Sequence, residues 1–142
     1  MSEIANETER RKRRSRVPAT SVGKHLVVGE LLRRGFEARL ANVSSGGHDV
    51  LVCSSDMPPQ RIRVRTVHSA PWYVRRASFV GSRADQVTVY VLLGPEMRNA
   101  RFFVAKNRDL AAQLRQPPSW NTFGFIDAKS VEKYENNWDI LK

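Results

Sequence analysis

Cysteine is nearly absent from this chain. A lone Cys53 among 142 residues cannot form an intrachain disulfide or a multi-cysteine zinc site. Histidine is scarce too: His25, His48 and His68 are dispersed, with no ligand pair at helical spacing. Long apolar runs are missing. The longest, Val87 to Gly94, has 8 residues and contains Thr88, whereas a bilayer span needs roughly 20. The N-terminal stretch is charged and has no apolar segment of the secretory kind. The expectation is a cytoplasmic protein with no membrane association.

Positive charge is what the chain has in excess. Lys and Arg number 24 against 14 Asp and Glu, a net charge of +10. A run from Arg10 to Arg16 supplies part of it, offset by Glu3, Glu7 and Glu9. Residues 21–56 are balanced, whereas residues 57–126 carry eleven basic residues against Asp85, Glu96 and Asp109. This distribution points to a polyanionic partner, nucleic acid first. The N-terminal run fits a phosphate-binding arm, a localisation signal or a solvated end equally. The central excess falls on predicted strands, where solvation alone explains it less well.

With 41% hydrophobic residues, the chain can build one core. Residues 1–19 have no periodicity and read as a disordered basic arm, and residues 20–142 as the folded domain. Leu26, Val27, Val28, Leu31 and Leu32 share a broad face, predicting a helix over 21–34 capped by Thr20 or Ser21 and ended at Gly35. Lys24 is out of place in the first turn, where the helix dipole favours a carboxylate. Strands are predicted over 36–43, 49–53, 61–67, 86–93 and 101–105. The second and third form a hairpin, and Ser44-Ser45-Gly46-Gly47 reads as a turn. In 61–67, Ile62 and Val64 alternate with Arg61, Arg63 and Arg65. Trp72 to Phe79 reads as a strand or bend, and short helices are predicted over 109–114 and 128–134. Together these predict an α/β fold with a single mixed sheet flanked by helices.

The run Gly23-Lys24-His25-Leu26-Val27-Val28-Gly29-Glu30-Leu31-Leu32-Arg33-Arg34-Gly35-Phe36 resembles the opening helix of small PD-(D/E)XK, restriction-endonuclease-like nucleases. His48-Asp49-Val50-Leu51-Val52 followed by Ile62-Arg63-Val64-Arg65-Thr66 resembles their catalytic hairpin, and Trp138-Asp139-Ile140-Leu141 is similar to their closing segment. The resemblance covers residues 20–142 and implies a restriction-endonuclease-like core. It also implies a site in which a helical Glu, a strand Asp and a Glu/Gln-x-Lys pair converge on Mg²⁺ and the scissile phosphate. Hard oxygen ligands suit that ion, and one cation beside the attacking water suits the reaction.

Carried over by position, only Asp49 keeps the pattern. Lys24 stands at the helical Glu, Arg63 at the Glu/Gln and Arg65 at the Lys. A guanidinium has donors and no acceptor, so Arg63 cannot ligate a cation. Glu30 lies six residues beyond Lys24, turned ~240° around the helix. The expectation is a degenerate, catalytically impaired site with Asp49 as its remnant and no metal or other cofactor. The Arg61, Arg63 and Arg65 row would bind phosphate, with Asp49 pairing one of the three. The competing reading places that row on a solvated sheet face.

Pro71-Trp72-Tyr73-Val74-Arg75-Arg76 interleaves aromatics and cations. Trp72 or Tyr73 could stack on an unpaired base with Arg75 and Arg76 on phosphates, or Trp72 and Val74 could be core. His68 reads as loop surface or a general base, Cys53 as a small core residue, and Glu30 as a surface partner of Arg33 or Arg34. Nucleic acid, DNA ahead of RNA, is the expected partner, with a protein partner or homodimer as a further option. Two rival functions remain: a Mg²⁺-dependent endonuclease whose acids have migrated to Glu30, Glu37, Asp56 or Asp85, and a non-catalytic subunit of a larger assembly.

Overall fold

The computed structural model describes residues 18–42 and 49–141. Most of the expected basic arm, the Ser44–Gly47 turn and His48 lie outside the described residues. The chain opens with helix α1 (Ala19–Arg33), in which Gly23, Val27 and Leu31 are buried at helical spacing. Its N-cap is Pro18, with no side-chain cap, so Thr20 and Ser21 lie inside the first turn instead of preceding it. The helix therefore reaches into the stretch assigned to the arm, and Ala19 packs against the core. Leu32, expected on the inner face, is 54% exposed. Gly35 follows the helix with φ 91°, as its position past the last turn requires.

Five strands form the main sheet: β1 (Glu37–Leu40), β2 (Val50–Cys53), β3 (Gln60–Val67), β5 (Val87–Leu92) and β6 (Arg101–Lys106), in the order β1-β2-β3-β5-β6. Only β3 and β5 run parallel; the other neighbours are antiparallel. The connection between β3 and β5 holds β4 (Trp72–Arg75) and two 3₁₀ turns, Arg76–Phe79 and Gly81–Arg83. After β6 come the short helix α2 (Asn107–Leu110), strand β7 (Phe123–Ile126) and helix α3 (Ala128–Val131). A 3₁₀ turn, Trp138–Leu141, ends the described chain.

The expected mixed sheet is present, and the structure adds a second. β4 and β7 pair antiparallel as a two-stranded sheet, and β7 has no counterpart among the predicted strands. Gly124 explains how β7 is held. A Cβ there would lie 2.7 Å from the Arg115 carbonyl oxygen, so glycine lets the 114–115 segment bridge onto Phe125.

The main sheet has apolar residues on both faces. One face presents Val50, Ile62, Val64, Val89 and Val104 to Val27 and Leu31 of α1 and to Trp138 and Leu141. Close contact of α1 with β3 depends on Gly23, where a Cβ would lie 1.8 Å from Thr66 Oγ1. The opposite face carries Tyr90, Phe103 and Ala105, covered by Trp72, Val74, Phe79 and Ile126. Two buried faces on β5 account for its near-continuous apolar run.

Candidate nucleic-acid interface

Strand alternation puts Arg61, Arg63 and Arg65 of β3 on the face opposite Ile62 and Val64. Parallel register sets Arg63 beside Thr88 and Arg65 beside Tyr90. Arg61 is exposed, whereas Arg63 and Arg65 are half-buried. The latter two line a narrow cleft with Thr88, Tyr90, Ser78 and Phe79, between the main sheet and the 3₁₀ turn after β4. Asn107 ties the cleft together. Its Oδ1 accepts from Thr88 Oγ1 at 2.7 Å, and its Nδ2 donates to the carbonyls of Ser78 and Arg83 at 2.8 and 2.9 Å.

The positive charge of this cleft is only partly compensated. Burial pushes the Arg65 guanidinium below its ordinary pKa, and the charge of Arg63 lowers it further; the Asp49 carboxylate acts the other way. Neither Arg63 nor Arg65 makes an ion pair within 4 Å among the described residues. Burial likewise pushes the Tyr90 hydroxyl up, so it stays a neutral donor and acceptor. Two cations and a buried hydroxyl thus line this narrow, partly desolvated cleft.

Asp49 stands where β2 separates from β3. Its backbone N–H donates to the Ile62 carbonyl at 2.8 Å, and its Oδ2 accepts the Val64 N–H at 2.7 Å. Its Oδ1 faces Lys24 Nζ of α1 at 3.4 Å. The expected pairing of Asp49 with an Arg of the row is corrected here, because Lys24 is its ion-pair partner. A helix residue 25 positions away reaches the carboxylate because Gly23 seats the first turns of α1 against β3.

These residues do not fit a divalent cation. Mg²⁺ needs several oxygen donors, and both Asp49 oxygens already face nitrogen donors. No three His, Cys, Asp or Glu side chains cluster among the described residues. Glu30 pairs with Arg34 at 2.8 Å and Arg33 at 3.7 Å as expected, though its side chain is largely buried and not on the surface, and Asp85 pairs with Arg108.

The aromatic stretch splits by parity. Trp72 is 1% exposed, meets Tyr90 and Phe103 edge-on, and donates through Nε1 to the Val91 carbonyl at 3.2 Å. It is core, which corrects its place among base-stacking candidates. Tyr73 faces outward at 61% exposure. Arg75 and Arg76 are exposed, with the Arg75 guanidinium 5.2 Å from the Phe123 ring centre. Phe123, Phe125 and Trp120 also belong to this outer surface, and sequence reasoning missed them. The signal that could have found them was the aromatic content of 120–125 just after Pro117-Pro118. His68 is exposed and Cys53 half-buried.

No family sequence model matches the chain, and no curated protein matches it in sequence. Solved structures do match in fold. Hjc, a Holliday junction resolvase from Archaeoglobus fulgidus, superposes with a TM-score of 0.54 at 13% identity, covering 80% of this chain and 88% of that one. The bacterial homing endonuclease I-Ssp6803I gives 0.51 at 11% identity, covering 87% and 88%. D212, a nuclease from a fusselovirus, gives 0.43 at 10% identity, covering 89% and 98%. The chain has the restriction-endonuclease-like fold. No helix among the described residues is long and apolar enough to cross a membrane.

Proposed function

We propose that this chain binds nucleic acid through backbone phosphates and that fixed cations have replaced the catalytic metal of its fold. The observation that carries this reading is the Lys24 amine 3.4 Å from the Asp49 carboxylate, with Arg63 standing at the Glu/Gln position and Arg65 at the Lys position of the resembled pattern. Arg63 and Arg65 take phosphate oxygens in the cleft, and Arg61 extends the row at its exposed end. Arg75 and Arg76 add contacts at the rim, and the partly exposed Lys24 keeps donors free beside Asp49. Asp49 then has a positioning role: it holds Lys24 and the Val64 N–H. DNA ranks ahead of RNA because Hjc and I-Ssp6803I are named for a Holliday junction and for homing cleavage.

The test is a labelled DNA duplex followed across a salt series, with cleavage measured with and without Mg²⁺ or Mn²⁺. Binding is expected to weaken steeply with salt, and the slope to fall by about one for each phosphate-contacting Arg removed. Arg63→Ala and Arg65→Ala are each expected to weaken binding about tenfold, whatever the DNA sequence. Metal-dependent cutting that vanishes in Asp49→Ala would sink the proposal.

A further inference from the structure

The outer face of the β4–β7 sheet is unusual for a surface this basic. Antiparallel register sets Tyr73 opposite Phe125 and Arg75 opposite Phe123, so all four side chains share that face. Tyr73 and Phe123 are 61% and 46% exposed, although the Arg75 guanidinium lies over the Phe123 ring. Trp120 joins from the loop before β7, its ring centre 6.1 Å from Tyr73 and 6.0 Å from Phe125. The loop is pinned: Trp120 N–H donates to the Pro117 carbonyl at 2.9 Å, and Gln116 Nε2 donates to the Trp120 carbonyl at 2.8 Å. The rings are thus presented by hydrogen-bonded backbone before any partner arrives.

Exposed aromatics alone would suit many partners. The charge around them narrows the choice. Arg75 lies over Phe123 and Arg76 follows it, both exposed. Val74, the residue before Arg75 in β4, lines the cleft with Arg63 and Arg65, so one strand borders both the cleft and the outer face. Arg115 flanks the other side but is paired with Asp127 at 2.9 Å. A polyanion that also carries flat, stackable rings matches both properties. In a duplex those ring faces are already stacked on each other; in a single strand they are available.

We infer that the β4–β7 face, through Tyr73, Phe123 and Trp120, stacks unpaired bases and makes the protein prefer single-stranded nucleic acid. This inference rests on the nucleic-acid reading above and names the form of substrate that site takes. The strand would place phosphates on Arg63 and Arg65 and pass its bases over the outer sheet beside Arg75. A neighbouring copy of this chain is the rival occupant, since exposed aromatics also build protein interfaces.

The experiment uses the full chain with oligo(dT) and with a duplex of the same length, read by anisotropy and tryptophan fluorescence. Trp72 and Trp138 are 1% and 2% exposed, so Trp120 is the tryptophan positioned to respond. Expected are quenching by oligo(dT) and affinity for it about tenfold above duplex. Tyr73→Ala and Phe123→Ala should each lower oligo(dT) affinity about tenfold and change duplex affinity less than about twofold. Tyr73→Phe should retain binding, because the ring and not the hydroxyl stacks. Wild-type affinity for oligo(dT) in both alanine variants, or equal losses for strand and duplex, would overturn the inference while leaving the phosphate reading intact. Self-association by sedimentation that disappears in Tyr73→Ala would overturn it in favour of a second copy. Failure of the wild type to bind either probe at low salt would remove the phosphate reading and this inference with it.

Discussion

The two faces of the main sheet differ in what covers them. Against α1 the sheet is aliphatic and sealed, with Val27, Leu31, Val50 and Ile62 all fully buried. On the other side the cover is aromatic and incomplete: Trp72, Tyr90 and Phe103 are buried, and the cover stops at Arg63 and Arg65. The same strand, β3, contributes Ile62 and Val64 to one face and the two guanidiniums to the other. The contrast teaches that stability and recognition can be separated by parity along a single strand. Charge is tolerated where the second layer ends and leaves a desolvated but reachable cleft.

The sharpest way to break this comparison is to remove the aromatic cover. Trp72→Ala should cost about 3–5 kcal/mol in urea unfolding, the range for a buried large aromatic. A cost below about 1 kcal/mol would mean that this face is a coat and not a core. Next comes the junction of the two faces. Asp49→Ala should cost about 1–3 kcal/mol, because the Val64 N–H and Lys24 both lose their acceptor, and Asp49→Asn should restore part of it. A smaller and opposite effect is expected in the cleft. Arg65→Met should raise the unfolding free energy by about 1 kcal/mol while weakening DNA binding, because it removes a half-buried charge beside Arg63. A loss of stability there would mean that the guanidinium has structural partners.

The smallest effect lies at the edge strand β6. Arg101 holds Glu135 through two hydrogen bonds of 2.9 Å, and the hydrogen bond lowers the Glu135 pKa. The contribution is therefore present above the ordinary Glu value of about 4.3 and is lost as pH falls through the lowered folded value. Solvent screening at this exposed pair keeps it below about 1 kcal/mol. An acid titration of stability should show that difference between wild type and Glu135→Gln at neutral pH and its disappearance as pH falls below ~4.3.

Much of the fold was legible because its signals are local. The period of α1, the alternation of β3 and the apolar run of β5 each follow from near neighbours in sequence. What stayed hidden depends on distant ones. Strand β7 is four residues long and contains Gly124, whose glycine makes sense only once the 114–115 segment lies against it. Trp72 and Tyr73 are adjacent, and parity separates them, but only β7, Tyr90 and Phe103 decide which one is covered. The helix start moved for a related reason: Pro18 supplies an extended N-cap, leaving the hydroxyls of Thr20 and Ser21 without that role. At the site, the retained Asp49 and the departures at Lys24, Arg63 and Arg65 were expectations by position, whereas the pairing of Lys24 with Asp49 required the close seating of α1 on β3.

The parallel pairing of β3 with β5 sets an order in time. β1, β2 and β3 can zip as neighbours, but β5 must wait for the 68–86 connection to close, and that connection carries β4 and half of the small sheet. β4 then needs β7, some fifty residues further on, before its hydrogen bonds are complete. The segment that borders the cleft and bears Tyr73 is thus expected to pair late, and its amides should exchange with solvent ahead of those in β3 and β5.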